Sequence, residues 1–251
     1  MPENIHIQQI KTTIKNKKNL YFVLEAIDNK VYIYTFVAET SVSKQNMPLI
    51  EFEQVKEIKG ADIYIWHITE SCKELATLAI DGEMLYAESQ SIFKSTSRQR
   101  EWLATRALLC HTPYKEQKIL YRSNGQPYLT DNYRYISISH TREYVAIAIS
   151  EEPIGIDIEM IGRNAITVIK AILSHHEMEL FLQSDEPDSE ALRLWTAKEA
   201  AFKLAPERCN VLKEIISDKY GNTYLMTYPD GTSATSSIHL FGGLILSCCR
   251  F

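Results

Sequence analysis

The chain has 251 residues, of which 45% are hydrophobic and 24% charged, so it is long and apolar enough to bury a sizeable core. A net charge of −5 argues against a nonspecific nucleic-acid binder, and no apolar run approaches the roughly 20 residues of a membrane-spanning helix. The five cysteines show no CxxC spacing, which argues against a zinc site or disulfides and favours reduced thiols in a cytoplasm.

The first 46 residues differ in pattern from the rest of the chain. They begin Lys- and Asn-rich, without a basic-then-apolar secretory pattern, and continue into a β-branched and aromatic run, Val31–Val37, that predicts a strand. A second Met-Pro pair follows at Met47 and Pro48, after which strands and helices alternate regularly. Residues 1–46 are therefore either a small added segment or lie upstream of a true start at Met47, and both interpretations stay open.

The middle of the chain predicts alternating strands and helices. Asp62–Ile68 alternates like a strand, and Thr69 is a candidate cap for a helix over Glu70–Leu78. Apolar residues at helical spacing predict a helix over Ser97–Cys110. Next come a predicted turn at Gly125–Pro127 and predicted strands at Tyr135–Ser139, Tyr144–Ser150 and Ile154–Glu159.

The C-terminal part begins with helices and ends in strands. Ser174 and Glu177 have the spacing of a capping box that opens a helix. After a predicted loop over 183–189, a strong helix is expected at Ala191–Leu204, followed by antiparallel strands that end at Leu244–Cys249. The chain as a whole predicts a mixed α and β fold.

The strand Ile154–Glu159 carries the first chemical motif, GIDIE. Because side chains alternate between the faces of a strand, Asp157 and Glu159 lie on one face and the isoleucines on the other. Two carboxylates this close repel each other unless a cation lies between them, and such oxygen ligands suit Mg²⁺ together with substrate phosphates. Taken alone, the same pattern is more typical of a solvated strand face.

The helix segment Trp195–Lys203, with the sequence WTAKEAAFK, carries the second motif. Helical spacing places Trp195, Glu199 and Lys203 along one side. Glu199 can complete a three-carboxylate metal site, and Lys203 can reach a phosphate oxygen one turn further on. The plainer alternative is a surface Glu–Lys pair, which contributes roughly 0.2–0.5 kcal/mol.

The third motif is ISISH, at residues 136–140. The isoleucines are expected to point inward and Ser137 and Ser139 outward, with His140 at the strand end. Hydroxyl and imidazole groups at such an edge can donate to a phosphate or pyrophosphate. A Ser-His nucleophilic pair is the rival interpretation, but adjacent residues on a strand point apart and cannot form the required hydrogen bond.

The order and spacing of these motifs form a specific signal, although each motif alone is weak. Over about residues 60–250 the sequence resembles the 4′-phosphopantetheinyl transferase superfamily, of the larger Sfp type. The matching motifs are Gly125-x-Pro127, Ser137–His140, Gly155–Glu159 and Trp195–Lys203, with the Ser174-x-x-Glu177 helix start and the arginine-bearing helix near Arg100 and Arg106.

The resemblance implies an α+β fold of two similar α/β halves related by a pseudo-twofold axis, with coenzyme A in the cleft between them. The halves then correspond to residues 47–150 and 151–251, and a chain that carries both is expected to be a monomer. The implied reaction moves the 4′-phosphopantetheine arm of coenzyme A to a serine of an apo acyl or peptidyl carrier protein. It requires Mg²⁺ and releases 3′,5′-adenosine bisphosphate.

The same resemblance assigns the site residues. Asp157, Glu159 and Glu199 are implied as the Mg²⁺ ligands, and Glu199 and Lys203 as the catalytic residues. Glu199, directly or through a metal-bound water, is our choice of base, and a metal-bound hydroxide is the rival. The residues implied to contact coenzyme A are Arg100, Arg106, Ser139, His140, Lys198 and Lys203.

Some positions depart from the family. Gln126 stands where a lysine is common between the glycine and the proline of the first motif, which removes one cation from the expected phosphate cradle. The stretch Ala205–Glu207 lacks the glycine often seen there, and residues 1–46 match nothing assignable in the family.

Two other functions stay open. The runner-up is a non-catalytic paralogue that binds coenzyme A or a carrier protein, although the retained carboxylates and Lys203 argue against it. The third is a Mg²⁺-dependent phosphodiesterase or nuclease. The net negative charge argues against a nucleic-acid substrate, and so does the lack of interleaved aromatic and basic residues of the kind that line nucleic-acid grooves. We expect neither nucleic acid nor a membrane as a partner.

Overall fold

The structure, a computed structural model, describes residues 12–15, 20–27, 30–37, 52–55, 58 and 60–251. Within these ranges α-helices pack against antiparallel sheets, so the predicted mixed α and β fold is confirmed. The strands are β1 (Thr12–Lys15), β2 (Leu20–Ile27), β3 (Lys30–Val37), β4 (Phe52–Val55), β5 (Ala61–His67), β6 (Ile119–Tyr121), β7 (Pro127–Leu129), β8 (Tyr135–His140), β9 (Tyr144–Ser150), β10 (Gly155–Met160), β11 (Ile216–Tyr220), β12 (Thr223–Thr227), β13 (Ser233–Phe241) and β14 (Leu244–Arg250). The helices are α1 (Cys72–Thr77), α2 (Gly82–Ile92), α3 (Thr96–Cys110), α4 (Ile166–Ile172), α5 (His175–Leu182) and α6 (Pro187–Leu204).

The strands form two main sheets and one hairpin. The first sheet has the order β1-β2-β3-β4-β5-β9-β8, and the second has the order β10-β14-β13-β12-β11. Strands β6 and β7 pair with each other across the predicted turn, where Gly125 has a positive φ. The predicted strand Val31–Val37 lies within β3. Over the part of the chain that the structure describes, no helix is long and apolar enough to cross a membrane.

The first sheet carries helices on one of its faces. Tyr64 and Trp66 of β5 are buried in one cluster with Leu103, Ala107 and Leu108 of α3. The α3 residues recur at helical spacing, and the β5 residues recur at every second position, so each element presents one apolar face to the other.

An apolar layer joins the two sheets. Ile63 and Ile65 of β5 share a buried cluster with Ile156 and Ile158 of β10 and Leu246 of β14. Helix α6 packs against β10, β14 and β13, so the layers follow the order helix, sheet, sheet, helix. Because this layer fills the space between the sheets, any cleft between the halves lies outside it. The pseudo-twofold relation of the halves stays a prediction.

Strands β8 and β10 belong to different sheets but lie next to each other, joined by serine hydroxyls. Ser137 Oγ accepts a hydrogen bond from the Ile156 backbone N–H at 3.0 Å, and Ser139 Oγ accepts one from the Ile158 N–H at 3.1 Å. Both serines are buried, so the prediction that they point outward is wrong. The reason is that β10 covers this face of β8.

Helix α6 lies directly against the backbone of β10 at Gly155. A β-carbon added at Gly155 would lie 2.0 Å from the Ala200 carbonyl oxygen and 2.6 Å from the Leu204 backbone nitrogen. Only a residue without a side chain allows this approach. The contact therefore sets the distance between the carboxylates of β10 and the side chains of α6.

A fully buried ion pair connects α5 to α6. Lys198 Nζ of α6 lies 2.8 Å from Glu177 Oε1 of α5, and it also donates to the carbonyl oxygens of Ile172 and Ile215. Glu177 accepts a further hydrogen bond from the Ser217 N–H at 2.9 Å. Burial on its own raises the pKa of Glu177, but Lys198 and these hydrogen bonds outweigh it and hold the pKa below its usual range.

The signals at helix starts are confirmed only in part. Ser174 and Glu177 form the predicted capping box, with reciprocal bonds of 2.7 and 3.2 Å. Helix α1 is capped by Ser71, so the assignment of Thr69 as its cap is wrong. Helix α6 begins at Pro187, inside the segment predicted to be a loop, because proline suits the first turn of a helix.

The substitution Gly155→Ala should lower the free energy of unfolding by about 3 kcal/mol or more, because backbone atoms of α6 cannot move aside cheaply. Gly125→Ala is the matched control. Its β-carbon meets nothing within 4 Å, so only its positive φ opposes the substitution. That strain should cost about 1–2 kcal/mol. Urea unfolding measures both losses, and equal losses would contradict the close approach at Gly155.

The substitution Lys198→Met should cost about 3–5 kcal/mol at neutral pH, because it leaves the Glu177 carboxylate buried without its counter-ion. In the wild type, the lowered pKa of Glu177 adds stability above the ordinary glutamate range, and this is lost as the pH falls through the lowered value. In the variant, burial is unopposed by the ammonium, so protonation of Glu177 restores stability at acid pH. The stability difference between the two proteins should therefore be larger at about pH 7 than at about pH 4.

Chemical unfolding at the two pH values measures this difference. A second variant, with Glu177→Gln added to Lys198→Met, removes the unpaired charge and should recover part of the lost stability. If the loss of stability in Lys198→Met is independent of pH and is not relieved by Glu177→Gln, then Lys198 does not stabilise the buried charge of Glu177.

Candidate active site

Strand β10 turns Asp157 and Glu159 toward α6, on the face opposite its isoleucines. Both carboxylates are buried, so the alternative of a solvated strand face is wrong. Glu199 of α6 is half-buried, and the negative charge of Asp157 acts on it. We call Asp157, Glu159 and Glu199 the acidic cluster.

Asp157 has one hydrogen-bonded oxygen and one without a partner. Its Oδ1 accepts from Ser139 Oγ at 2.7 Å and lies 2.7 Å from Lys203 Nζ. Its Oδ2 is buried and has no hydrogen-bond partner among the described residues. Lys203 is thus not half of a plain surface pair with Glu199, since it binds a buried carboxylate on another element. An unpaired buried oxygen is costly, so a cation bound there would remove a penalty that the fold otherwise carries.

Glu159 is contacted from two directions. Trp195 Nε1 donates to its Oε1 at 3.0 Å, and the Arg163 guanidinium pairs with the same oxygen. The Arg163 guanidinium carbon also lies 5.6 Å from the centre of the Trp195 ring. The charge of Glu159 is therefore neutralised within the chain, by an arginine from the loop that follows β10.

The charge of Glu199 is only partly compensated. Burial raises the pKa of this carboxyl, and the negative charge of Asp157 raises it further. The positive charges of Lys203 and Arg163 offset part of this increase. A carboxylate whose pKa is raised is a better proton acceptor than an ordinary surface glutamate.

His140, at the end of β8, lies between two side chains of α3. Its Nε2 is 3.2 Å from Arg98 Nη1, and its Nδ1 is 3.4 Å from Glu101 Oε2. Its pKa is lowered by burial first, then by the positive charges of Arg98 and Lys203, against the opposite effects of Glu101 and Asp157. His140 therefore lies within electrostatic reach of Asp157 and Lys203, and the three sequence motifs converge in space.

Lys198 does not join this convergence. Its side chain is completely buried, and its ammonium is enclosed by Glu177 and backbone carbonyl oxygens. The prediction that Lys198 holds a phosphate is therefore contradicted, because this ammonium has no exposed surface to offer. Of the two lysines assigned to phosphate, only Lys203 contacts the acidic cluster.

Arg100 and Arg106 are both engaged within the first half of the chain. Arg106 lies over the Trp102 ring, 3.3 Å from its centre, and donates to the Trp102 carbonyl oxygen at 3.0 Å. Arg100 donates to the carbonyl oxygen of Ile68, while its Nε is buried without a partner among the described residues. Contacts of these two arginines with a phosphate stay predictions.

The donor atoms of the acidic cluster fit Mg²⁺ in part. Over the described ranges, no group of three or more His, Cys, Asp or Glu side chains is placed to hold a metal ion, and Glu159 is paired with Arg163. Asp157 Oδ2 and Glu199 nevertheless offer hard oxygen atoms whose charge is not fully compensated. One or two carboxylates plus substrate phosphates suffice for Mg²⁺. Asp157 and Glu199 fit such a site, and Glu159 can join it only if Arg163 moves.

Sequence reasoning missed Arg98, Glu101 and Arg163. Arg98 and Glu101 lie one turn apart at the start of α3, a spacing typical of any surface pair. Arg163 follows Glu159 by four residues, but it lies in a loop with no periodic pattern. The contacts of these residues with His140 and with Trp195 depend on how separate elements pack together, and spacing along the chain does not reveal this packing.

Comparisons with known proteins give the same family as the motifs. Residues 153–240 match the family model described as the 4′-phosphopantetheinyl transferase superfamily. The chain is 31% identical to the 4′-phosphopantetheinyl transferase gsp of Aneurinibacillus migulanus over 142 residues, which cover 53% of this chain and 59% of that protein. It is 32% identical to the 4′-phosphopantetheinyl transferase AcpT of Escherichia coli O157:H7 over 113 residues, 42% of this chain and 57% of that protein.

The matched region thus spans less than two thirds of these relatives, at 59% and 57% of their lengths. The acidic cluster and Lys203 all lie between residues 153 and 240, within the part that matches the family model. The resemblance predicted from the motifs is confirmed, because this part of the chain matches the model of the 4′-phosphopantetheinyl transferase superfamily.

Proposed function

We propose that the chain transfers the 4′-phosphopantetheine arm of coenzyme A to a serine of an apo acyl or peptidyl carrier protein, with Mg²⁺ as cofactor. The observation that carries this proposal is the convergence of three elements from distant parts of the chain. The end of β8 supplies His140, β10 supplies Asp157, and α6 supplies Glu199 and Lys203. The names of the curated relatives support the same reaction.

The residues around the acidic cluster are suited to a pyrophosphate. Mg²⁺ held by Asp157 and Glu199 would supply the positive charge that the pyrophosphate and the leaving group require. Lys203 is 27% exposed, so its ammonium is accessible while Asp157 fixes its position. A cation held in place in a partly buried site stabilises developing negative charge better than one that must reorient in water.

The transfer proceeds by one bond exchange at phosphorus. The carrier serine oxygen forms a bond to the β-phosphorus of coenzyme A, and the bond from that phosphorus to the adenosine bisphosphate breaks. The serine proton must leave as the new bond forms, and Glu199, the carboxylate that α6 places beside Asp157 and Lys203, is the proposed acceptor. The leaving 3′,5′-adenosine bisphosphate takes the bonding electrons, and Lys203 stabilises the resulting charge.

Both predicted halves contribute to this site. Residues 47–150 provide the end of β8 and the start of α3, while residues 151–251 provide β10 and α6. One chain therefore supplies every side chain that the proposal uses, which supports the monomer expected from the family. Coenzyme A and the carrier protein would approach at the edge of the β8–β10 contact, beside the filled apolar layer.

The substitution Asp157→Ala should lower the rate of carrier loading by at least about 100-fold, because it removes a proposed metal ligand and the partner of Lys203. The protein is incubated with coenzyme A, Mg²⁺ and a panel of apo carrier proteins, and the added arm is detected by mass spectrometry. Asp185→Ala is the matched control, since it removes an exposed carboxylate before α6. The control should load carriers at the wild-type rate.

Excess EDTA should stop loading by the wild type, and added Mg²⁺ should restore it. Loading that continues in EDTA would contradict the proposed metal site. Binding of coenzyme A without any loaded carrier would instead favour the non-catalytic paralogue. Cleavage of phosphodiesters without carrier loading would favour the hydrolase.

The substitution Lys203→Met should reduce kcat/KM for coenzyme A by about 100-fold, because the methionine keeps the length of the side chain but removes the charge placed at the phosphates. Lys170→Met removes an exposed lysine from α4 and serves as the control. Steady-state kinetics with a fixed carrier measure both variants, and thermal unfolding shows that each is folded. Unchanged kinetics in a folded Lys203→Met protein would remove Lys203 from the proposed mechanism.

A further inference from the structure

A small polar cluster joins the start of α3 to the end of β8. Glu101 Oε2 lies 3.2 Å from Arg98 Nη1 and 3.4 Å from His140 Nδ1. Arg98 Nη1 also lies 3.2 Å from His140 Nε2, and Ser97 Oγ donates to the other Glu101 oxygen at 3.1 Å. Each ring nitrogen of His140 therefore has its own neighbour on α3.

The chemistry of these neighbours determines which ring nitrogen carries a proton. A guanidinium has only donors, so Nε2 of His140 must act as the acceptor for Arg98. The proton of a neutral ring then lies on Nδ1, the nitrogen that faces the Glu101 carboxylate. The two contacts agree, since a carboxylate favours a proton on the nitrogen that it faces.

Burial distinguishes Glu101 from an ordinary surface residue. Its side chain is only 12% exposed, compared with 38% for His140 and 59% for Arg98. A carboxylate that is mostly removed from water keeps its charge more easily when cations or donors surround it. Glu101 thus lies behind the other two side chains, while their outer surfaces remain open to solvent.

We propose that Glu101 is a positioning residue, whose carboxylate holds the His140 ring as the Nδ1-protonated tautomer with Nε2 directed at Arg98. Nε2 then accepts from the Arg98 guanidinium, and the remaining N–H groups of this mostly exposed side chain face solvent. A phosphate oxygen that binds there would accept from a guanidinium that the fixed ring holds in place. The consequence for coenzyme A rests on the proposed function, whereas the tautomer of His140 does not.

The other charged groups near His140 do not duplicate this role. Lys203 of α6 and Asp157 of β10 act on the ring electrostatically, and no hydrogen bond joins either one to His140 among the described residues. Glu101, by contrast, has a carboxylate oxygen 3.4 Å from Nδ1 of the ring. Removal of the Glu101 carboxylate should therefore change the tautomer of the His140 ring, in addition to changing the local charge.

The first test observes the tautomer directly in the protein without ligand. Long-range ¹H–¹⁵N spectra at about pH 8, above the ordinary histidine range, distinguish the two neutral tautomers. His140→Gln identifies the signals of His140. The wild type should show the Nδ1-protonated form, and Glu101→Ala should lose its predominance. Glu143→Ala removes an exposed carboxylate three residues after His140 and should leave the tautomer unchanged.

The second test measures binding of 3′,5′-adenosine bisphosphate by calorimetry. Glu101→Ala should weaken binding about tenfold, the size expected for one charge-assisted contact, and Glu143→Ala less than about twofold. A wild-type ring protonated on Nε2, or a tautomer unaffected by Glu101→Ala, would overturn the positioning role. If the tautomer changes as expected but no protein binds the bisphosphate, the positioning role stands and the proposed function fails.

Discussion

The site depends on the hydrogen bonds between the serine hydroxyls of β8 and the backbone of β10. Ser139 makes one of these bonds and a second bond to a side chain, because its hydroxyl accepts from the Ile158 N–H and donates to Asp157 Oδ1 at 2.7 Å. A hydroxyl can do both, since it has one proton and two lone pairs. The residue that joins the two sheets therefore also orients the central carboxylate. His140 is the next residue along the chain, so its position is coupled to that of Asp157.

Four carboxylates of α5, β10 and α6 fall into two groups according to how their charge is compensated. Glu177 is paired with Lys198, and Glu159 is paired with Arg163, so these charges are neutralised inside the protein. Asp157 keeps a buried oxygen without a partner, and burial raises the pKa of Glu199. A buried carboxylate that lacks some of its partners costs stability, and such a group is expected where a bound ligand supplies the missing partner. Asp157 and Glu199, whose charges are only partly compensated, lie beside Lys203 and His140, and this is the physical argument for an anionic substrate held with a cation.

Much of the local structure could be predicted from the sequence. The strand at Tyr144–Ser150 has the predicted bounds, and the helix predicted at Ser97–Cys110 begins one residue earlier, at Thr96. Alternation also placed Asp157 and Glu159 together on one face of β10. It could not show that α6 covers that face, because a strand pattern does not reveal what packs on it. The outward assignment of Ser139 failed for the same reason.

The two lysines of α6 show what helical geometry adds to the resemblance, which assigned both of them to coenzyme A. Residues five apart on a helix point about 140° apart, so Lys198 and Lys203 cannot both face β10. Glu199 shares a side with Lys203, while the Lys198 side chain is buried against Glu177 on another side of the helix. The residue that a side chain contacts across the fold cannot be predicted in this way. Glu101 meets His140 only because packing of α3 on the first sheet brings the start of this helix to the end of β8. Spacing decides which side chains share a face, and tertiary packing decides what that face meets.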